Sequence, residues 1–216
     1  MITPAGGAPV SALLESGPDA HACYVFAHGA GAGMTHSFMA AISGGLAARG
    51  VACLRFQFPY MEQGSKRPDS PAVAHAAIRA AVHAAARALP DVPLFDGGKS
   101  FGGRMTSQAQ AATPLEGVRG LVFVGFPLHP AGKPGVDRAE HLAQVGIPMI
   151  FLQGTRDALA KLDLVRQETG KLEGRADLHI VDGADHSFHV LARSGRNDAQ
   201  VREELFDAIA AWIARH

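Results

Sequence analysis

Cysteine is scarce in this chain, which has 216 residues and only two cysteines, Cys23 and Cys53. Each lies inside a strand-like apolar run, where a free cysteine packs as a small hydrophobic side chain. Two cysteines cannot build the disulfide framework that stabilises many small secreted domains. The sequence therefore excludes that class of protein and predicts two buried thiols.

Net charge is also lacking, because 20 Lys and Arg residues balance 20 Asp and Glu residues. A surface with balanced charge does not attract a nucleic-acid backbone or an anionic membrane, so neither is an expected partner. Residues 1–20 contain no basic start and no long apolar stretch. No signal peptide or membrane span is predicted, and the expected location is the cytoplasm.

Apolar, strand-like runs alternate with helix-like segments along the whole chain. Runs such as Cys23–Ala27 are apolar at every position, which is typical of strands that are buried on both faces. The alternation predicts a single α/β domain over residues 1–216, with a mostly parallel sheet of about six or seven strands and helices on both faces. Residues 1–20 are expected to be loose, apart from an edge strand near Val10–Leu14. The main predicted strands are residues 23–27, 51–56, 92–95, 120–124, 148–153 and 176–181.

The stretch Gly98-Lys99-Ser100-Phe101-Gly102 fits the pattern G-x-S-x-G. It follows the apolar run Val92–Phe95 and precedes a helix-like segment from Arg104 to Ala112. A strand, a sharp turn and a helix are the context of a nucleophile elbow, in which flanking glycines let the two backbones approach each other closely. The hydroxyl of Ser100 is then expected at the end of the strand, beside the N–H groups that open the helix.

Other interpretations of the glycine-rich loops fit less well. A phosphate-binding P-loop ending in Gly98-Lys99-Ser100 needs a glycine where Pro93 stands. A dinucleotide fingerprint in the loop after the first main strand needs its third glycine at Met34 or His36. The alternative that Gly98–Gly102 is an ordinary glycine-rich turn with an unreactive serine remains open. No cofactor is predicted.

A serine hydroxyl needs a nearby base, and the base needs an orienting group. Histidine is the natural base because its pKa lies near neutrality. The chain supplies Ser100, Asp157 and His186 in an order known for Ser–His–Asp triads. Each of the three follows a different strand, and right-handed crossovers bring the loops after parallel strands to one edge of the sheet. Asp185 and Asp163 remain open as alternative acids.

His186 and His189 also have the His-x-x-His spacing of a metal pair. No carboxylate or cysteine at metal-ligand spacing accompanies them. The sequence therefore favours His186 as a base, and no metal site is predicted.

Attack on a carbonyl group creates an oxyanion, which needs two hydrogen-bond donors. The residue after the nucleophile supplies one backbone N–H group, and the loop after an early strand supplies the other. The predicted donors are the N–H groups of Phe101 and of Ala30, which lies in the glycine-rich loop His28–Gly33.

Four segments together resemble the α/β-hydrolase superfamily near its compact, dienelactone-hydrolase-like members. They are Gly98–Arg104, Phe126–Pro134, Leu152–Asp157 and Asp185–Phe188. The resemblance covers about residues 22–214 and is strongest to a small bacterial subfamily related to a subunit of a eukaryotic chromatin-acetylation complex. It implies the α/β-hydrolase fold, the triad positions Ser100, Asp157 and His186, and a serine hydrolase. Phe101 departs from the family pattern, in which methionine is commoner.

The segment between the fourth and fifth main strands, from Val124 to Pro148, has room for a crossover helix over residues 136–144 but not for a lid domain. An open pocket predicts small, soluble acyl substrates such as short esters. A non-catalytic interaction module on the same fold is the alternative function. The oligomeric state stays open. Candidate pocket residues are Met34, Tyr60, Phe101, Phe126, Leu128 and Phe188, of which about half are expected to fill the core instead.

Overall fold

One seven-stranded sheet organises the computed structural model, which describes residues 1–216. The strands lie in the order β1-β3-β2-β4-β5-β6-β7, and all neighbours are parallel except β1 and β3. The predicted α/β class with a mostly parallel sheet is confirmed. The strands are β1 (Ala12–Glu15), β2 (Ala22–Ala27), β3 (Val51–Phe56), β4 (Leu94–Lys99), β5 (Val118–Val124), β6 (Met149–Gly154) and β7 (Ala176–Val181).

Helices cover both faces of this sheet, and none of them has the length and apolar character that crossing a membrane requires. Their bounds are α1 (Ser37–Ala47), α2 (Pro59–Glu62), α3 (Pro71–Ala88), α4 (Phe101–Ala112), α5 (Leu162–Gly170) and α6 (Asp198–Ile213), with 3₁₀ helices at Asp137–Gln144 and Ala192–Ser194.

The sheet divides the apolar interior into two cores, because side chains alternate between its faces. Helices α1 and α6 cover one core, in which Phe95 packs edge-on against Trp212. Helices α3, α4 and α5 cover the other core, which contains Phe123 and Phe151. The two cysteines are buried free thiols, as predicted, and they contribute to different cores.

The N-terminal segment differs from the expected loose chain. Ile2 and Val10 form a β-bridge, and both side chains are buried. Strand β1 then pairs antiparallel with β3 at one edge of the sheet. The hydroxyl of Ser11 also donates a hydrogen bond to Glu62 Oε1 over 2.9 Å. The pairing with β3 and the bond to Glu62 join residues that are far apart in sequence, so the Pro- and Gly-rich composition of the segment does not reveal them.

The connection from β5 to β6 contains only the 3₁₀ helix Asp137–Gln144. The helix predicted over residues 136–144 is therefore wound more tightly than an α-helix. No lid domain is inserted here, as predicted, so the C-terminal edge of the sheet carries loops alone.

Candidate active site

Ser100 is the single residue between β4 and α4. Its φ of 51° and ψ of −114° lie in a region that residues with a Cβ seldom adopt, and such strain costs about 1–3 kcal/mol. A Cβ on Gly98 or Gly102 would lie 2.5 Å from the carbonyl oxygen of Ala27. Only glycine fits at these two positions, so the elbow holds β4, α4 and the end of β2 in close contact. The turn is tighter than predicted, since β4 continues to Lys99 and α4 begins at Phe101.

Three side chains from three loops form one hydrogen-bonded chain beside this elbow. Ser100 Oγ lies 2.8 Å from His186 Nε2. His186 Nδ1 lies 2.7 Å from Asp157 Oδ2. Ser100 follows β4, Asp157 follows β6 and His186 follows β7, so the C-terminal edge of the parallel sheet brings all three together.

The carboxylate of Asp157 is fully buried, with no solvent exposure of its side chain, and its oxygens accept hydrogen bonds from neighbouring groups. Oδ2 also accepts a hydrogen bond from Gln153 Nε2 over 2.5 Å, and Oδ1 accepts one from the N–H of Leu159 over 2.7 Å. A carboxylate is an acceptor, so Nδ1 of His186 carries its hydrogen and donates it to Asp157. Nε2 is then the unprotonated nitrogen of the imidazole and can accept the proton of the Ser100 hydroxyl.

Asp185 and His189 have partners other than the Ser100–His186–Asp157 chain, and Asp163 lies on a separate helix. Asp185 Oδ1 accepts hydrogen bonds from the N–H groups of Ser187 and His189 over 2.8 and 3.0 Å, so it shapes the loop that carries His186. Asp163 lies in the first turn of α5. His189 Nδ1 lies 2.9 Å from Asp198 Oδ2 at the surface. The two histidines of the His-x-x-His pattern are thus paired with different carboxylates.

The loop after β2 supplies the second predicted oxyanion donor, the N–H of Ala30. His28 fixes the base of this loop, because its Nε2 accepts a hydrogen bond from the N–H of Phe58 over 3.0 Å. Nδ1 must then carry the hydrogen that is donated to the carbonyl of Gly29 over 2.8 Å. Burial lowers the pKa of His28 to about 4, so the imidazole is neutral in this role at pH 7. The N–H of Phe101 opens α4 and has no intrahelical acceptor.

A cavity of about 390 Å³ opens beside Ser100. Its wall combines the small residues of the glycine-rich loop with apolar side chains and the imidazole of His186. A larger concavity of about 770 Å³ lies between β7 and α6, away from the elbow. The residues that line the cavity beside Ser100 are Gly29, Ala30, Gly31, Ala32, His36, Phe38, Met39, Lys99, Ser100, Leu159, His186 and Ser187.

The sequence family accounts for this arrangement. The model of the alpha/beta hydrolase domain family matches residues 20–214, which is nearly the whole chain. The chain belongs to this family. Its nucleophile elbow, its lidless sheet edge and the contacts between Ser100, His186 and Asp157 can therefore be considered as parts of an α/β hydrolase.

Solved structures of other hydrolases share the fold. A dienelactone hydrolase from Anabaena variabilis is 18% identical, with 100% of this chain and 96% of that chain covered and a TM-score of 0.77. A lidless α/β serine hydrolase from Xanthomonas campestris is 20% identical, with coverage of 98% and 92% and a TM-score of 0.74. An esterase domain from Rhodothermus marinus is 18% identical, with coverage of 99% and 96% and a TM-score of 0.74. At these identities the likeness shows the fold alone.

All six side chains that the sequence suggested as pocket residues lie outside this cavity wall, and Phe101 packs edge-on against Phe58 in the core. Each is large and apolar or aromatic, and a sequence pattern cannot distinguish such a residue in a pocket from one in the core. Phe126 and Leu128 pack with Phe151 in the core under α4 and α5. Phe188 is buried and stacks on Phe38. Met34 and Tyr60 are buried behind the glycine-rich loop.

Sequence reasoning missed Lys99, which lies beside Ser100 in this α/β hydrolase. Its Nζ donates a hydrogen bond to the backbone carbonyl of His186 over 2.6 Å and lies 5.5 Å from the ring centre of Phe188. Burial lowers the pKa of Lys99 to about 8, although the carboxylates of Asp157 and Asp185 favour its charged form. A lysine inside an otherwise apolar and glycine-rich elbow is the sequence signal that could have indicated it.

A second Ser–His contact lies about two turns farther along α4. Ser107 Oγ is 2.7 Å from His141 Nε2, and the same hydroxyl donates a hydrogen bond to the carbonyl of Arg104 over 2.9 Å. Ser107 is fully buried and does not line the cavity beside Ser100. No carboxylate is bonded to His141, so this contact is a pair and not a triad.

Proposed function

We propose that this chain is a serine hydrolase that cleaves an ester or a related acyl bond of a small, soluble substrate. The observation that carries the proposal is the chain of hydrogen bonds from Ser100 through His186 to Asp157, with distances of 2.8 and 2.7 Å, at the wall of a cavity. The family gives hydrolysis as the general chemistry. The catalytic roles below are our assignment.

In the acylation half of the reaction, Ser100 Oγ attacks the substrate carbonyl carbon and its proton moves to His186 Nε2. Asp157 stabilises the imidazolium that forms. The N–H groups of Ala30 and Phe101 hold the oxyanion of the tetrahedral intermediate. The intermediate collapses, the bond to the leaving alcohol breaks, and the alcohol takes the proton from His186. The product of this half is an acyl-Ser100 enzyme.

In the deacylation half, water attacks the acyl carbon while His186 Nε2 takes one of its protons. Collapse of the second tetrahedral intermediate returns that proton to Ser100 Oγ and releases the carboxylic acid. No cofactor enters either half, because the leaving group and the water balance the atoms and the charge.

The cavity supports a class of substrate within this chemistry. Its volume of about 390 Å³ lies near the lower end of the usual range for small-molecule sites, and no lid closes over it. A long acyl chain would project into solvent, so each methylene beyond the cavity gains little of the usual ~0.8 kcal/mol. Esters with roughly two to six acyl carbons should therefore be cleaved best. We therefore propose an activity of the carboxylesterase or dienelactone-hydrolase type.

A series of nitrophenyl esters with acyl chains of increasing length tests this substrate class. We expect kcat/KM to pass through a maximum at short chains, with no jump at the critical micelle concentration, and Ser100→Ala to abolish the signal throughout. A kcat/KM that rises steadily to long chains, or that jumps when micelles form, would contradict the proposal.

Within the family, we propose that the chain lies near the compact bacterial subfamily related to a chromatin-acetylation complex subunit. The four segments that resemble this subfamily support the placement. We also propose a cytoplasmic location, since two buried free thiols suit a reducing compartment.

A further inference from the structure

The segment that follows β3 contacts the glycine-rich loop and Met34, the residue directly after it, at three points. Gln57 Oε1 accepts a hydrogen bond from the N–H of Met34 over 2.8 Å. The N–H of Phe58 donates to His28 Nε2. The hydroxyl of Tyr60 donates to the carbonyl of Ala30 over 2.9 Å and lies 3.4 Å from the carbonyl of Gly29. Residues 57–60 therefore support the loop on the side opposite the cavity.

Tyr60 is itself held firmly. Only 3% of the residue is exposed, and its ring lies 6.4 Å from the ring of Phe58 and 6.3 Å from that of Phe101. Its own N–H donates to Asp69 Oδ2 over 3.1 Å. Burial raises the pKa of Tyr60 to about 12, so the hydroxyl remains a donor throughout the pH range of an esterase assay. The donor is thus fixed in position and constant in charge.

Peptide planarity links these contacts to the opposite side of the loop. In a trans peptide unit, the C=O and the following N–H point in opposite directions. The N–H of Ala30 shares its peptide unit with the carbonyl of Gly29, which accepts from His28 Nδ1 over 2.8 Å and lies 3.4 Å from the Tyr60 hydroxyl. The 2.9 Å bond from Tyr60 to the carbonyl of Ala30 fixes the next peptide unit. Together these contacts restrain both peptide units that flank Ala30 and turn the N–H groups of Ala30 and Gly31 away from Tyr60. Ala30 and Gly31 line the cavity beside Ser100, and the N–H of Ala30 has no acceptor within the protein.

We propose that Tyr60 is a positioning residue that aims the N–H of Ala30 at the oxyanion. The inference rests on the proposed serine hydrolase function. The glycine-rich loop has little intrinsic rigidity, because its glycines lack the side chains that restrict backbone torsions. Donors that are fixed before the reaction stabilise a transition state more than donors that must reorganise. Tyr60 supplies that fixation from behind the loop, where it does not contact the substrate.

The chain contains a matched control for this proposal, because it has only two tyrosines. The hydroxyl of Tyr24 also donates to a buried backbone carbonyl, that of Val122, over 3.0 Å. Tyr24 lies in the core under α1 and α6 and does not contact the glycine-rich loop. Tyr24→Phe and Tyr60→Phe each remove one buried hydroxyl with the ring retained. Only Tyr60→Phe removes a contact with Ala30.

The test measures kcat, KM and Tm for the full-length wild type and both variants with a short nitrophenyl ester. It also measures the inhibition constant of a short alkylboronic acid, whose tetrahedral adduct on serine resembles the transition state. Loss of a complete oxyanion donor lowers kcat by about 10²–10³. Tyr60 only restrains the donor, so we expect kcat to fall about tenfold in Tyr60→Phe with KM unchanged. The boronic acid should bind weaker by a similar factor, while Tyr24→Phe keeps wild-type values in both assays.

The alternatives give different results. Equal kcat values for Tyr60→Phe, Tyr24→Phe and wild type would overturn the proposal, since Tyr60 would then only pack in the core. A raised KM with unchanged kcat would also overturn it and would make Tyr60 a substrate contact. A folded wild type that cleaves no ester would remove the proposed function and this inference with it, before any variant is compared.

A second variant guards against a Tyr60→Phe protein that does not fold. Gln57→Leu removes the acceptor of the Met34 N–H and leaves the hydroxyl of Tyr60 in place. If residues 57–60 hold the loop, this variant should also lower kcat with unchanged KM, by a smaller factor than Tyr60→Phe. An unchanged kcat in Gln57→Leu would contradict the support that we assign to the segment.

Discussion

Helix α4 has a Ser–His contact at each of two places, and the two contacts have almost the same length. Ser100 Oγ lies 2.8 Å from His186 Nε2 at the start of the helix, and Ser107 Oγ lies 2.7 Å from His141 Nε2 two turns later. A basic side chain accompanies each pair, Lys99 at the first and Arg104 at the second. Distance and local charge alone therefore do not distinguish them.

The carboxylate that orients the imidazole does distinguish them, because only His186 has one. Asp157 accepts from Nδ1 of His186, so Nε2 of that ring accepts from Ser100. The single hydroxyl proton of Ser107 is directed at the carbonyl of Arg104. No carboxylate accepts from Nδ1 of His141, so nothing fixes its Nε2 as the unprotonated nitrogen that a general base needs.

Backbone conformation and access also separate the two serines. Ser100 has a positive φ and faces a cavity, whereas Ser107 lies inside the helix and is fully buried. A reactive serine needs an orienting acid, an accepting nitrogen and room for a carbonyl group. Only the first contact combines these features.

The largest expected effect is the difference between two serine variants. Ser100→Ala removes the nucleophile and should lower kcat by about 10⁴-fold or more. Ser107→Ala removes a hydroxyl that lies outside the cavity and should leave kcat within about twofold of wild type. Steady-state kinetics with a short nitrophenyl ester measure both values. A large loss of activity in Ser107→Ala, at wild-type Tm, would reverse the comparison.

The next largest effect is expected from a change at Asp157, the carboxylate bonded to His186. His141 has no such carboxylate. Asp157→Asn should lower kcat by about 10³–10⁴-fold, because the amide can donate to Nδ1 and favour the wrong tautomer of His186. Asp198→Asn is the matched control, since Asp198 is bonded to Nδ1 of the surface residue His189. It should retain wild-type kcat. Full activity in Asp157→Asn would exclude Asp157 as the orienting acid.

An effect of intermediate size is expected on the free energy of unfolding when Lys99, the basic residue beside Ser100 and His186, is replaced. The pKa of Lys99 falls from 10.5 to about 8 on burial, so the folded state disfavours its charged form. Lys99→Met should raise the free energy of unfolding at pH 7 by about 1–3 kcal/mol. The sign follows from linkage, since the unfolded wild type binds more protons between pH 8 and 10.5 and its stability rises there. The advantage of the variant should therefore shrink above pH 8 in urea unfolding.

A Lys99→Met variant that is strongly destabilised at pH 7 would contradict this reading. It would mean that the bond to the carbonyl of His186 and the contact with Phe188 outweigh the burial of the ammonium group. Lys99→Gln, which keeps a donor without the charge, separates these two contributions.

The smallest effect is expected at the second pair. Burial, followed by the charges of Arg104 and His75, lowers the pKa of His141 from 6.5 to about 4. The unfolded chain binds this proton first as pH falls, so stability is lost between about pH 6.5 and 4. Because His141 is only partly buried, we expect a contribution on the order of 1–2 kcal/mol. His141→Gln should reduce the loss measured by urea unfolding at pH 7 and pH 5, and an unchanged slope would contradict the assignment.

The sequence predicted the proximity of Ser100, Asp157 and His186, because the order of parallel strands strongly constrains where the loops after them lie. Ser100, Asp157 and His186 each follow a predicted strand, and parallel strands end at one edge. Their positions in the structure agree with that expectation, and their catalytic roles stay a prediction. The turn between the strand and the helix was predicted at the observed place, but it is shorter than predicted. The glycines of Gly97–Lys99 suggest a turn, whereas these residues form the end of β4.

The cavity wall could not be predicted in the same way. Phe38 and Met39 line it while Phe126 and Leu128 fill the core, although all four are apolar. Side-chain direction at these positions depends on packing between distant segments, which apolar periodicity does not report. The position of Phe38 and Met39 at the start of α1, directly after the glycine-rich loop, was the available signal.

Labelling with a fluorophosphonate probe tests the central claim most directly, because the probe reacts with activated serines and its site is mapped by peptide mass spectrometry. We predict stoichiometric labelling of wild type at Ser100, none at Ser107, and no labelling of Ser100→Ala. Ser107→Ala should react at the wild-type rate. A folded wild type that stays unlabelled would contradict the account and favour a non-catalytic interaction module. A label on Ser107 would also contradict it, because the reactive serine would then be the one paired with His141.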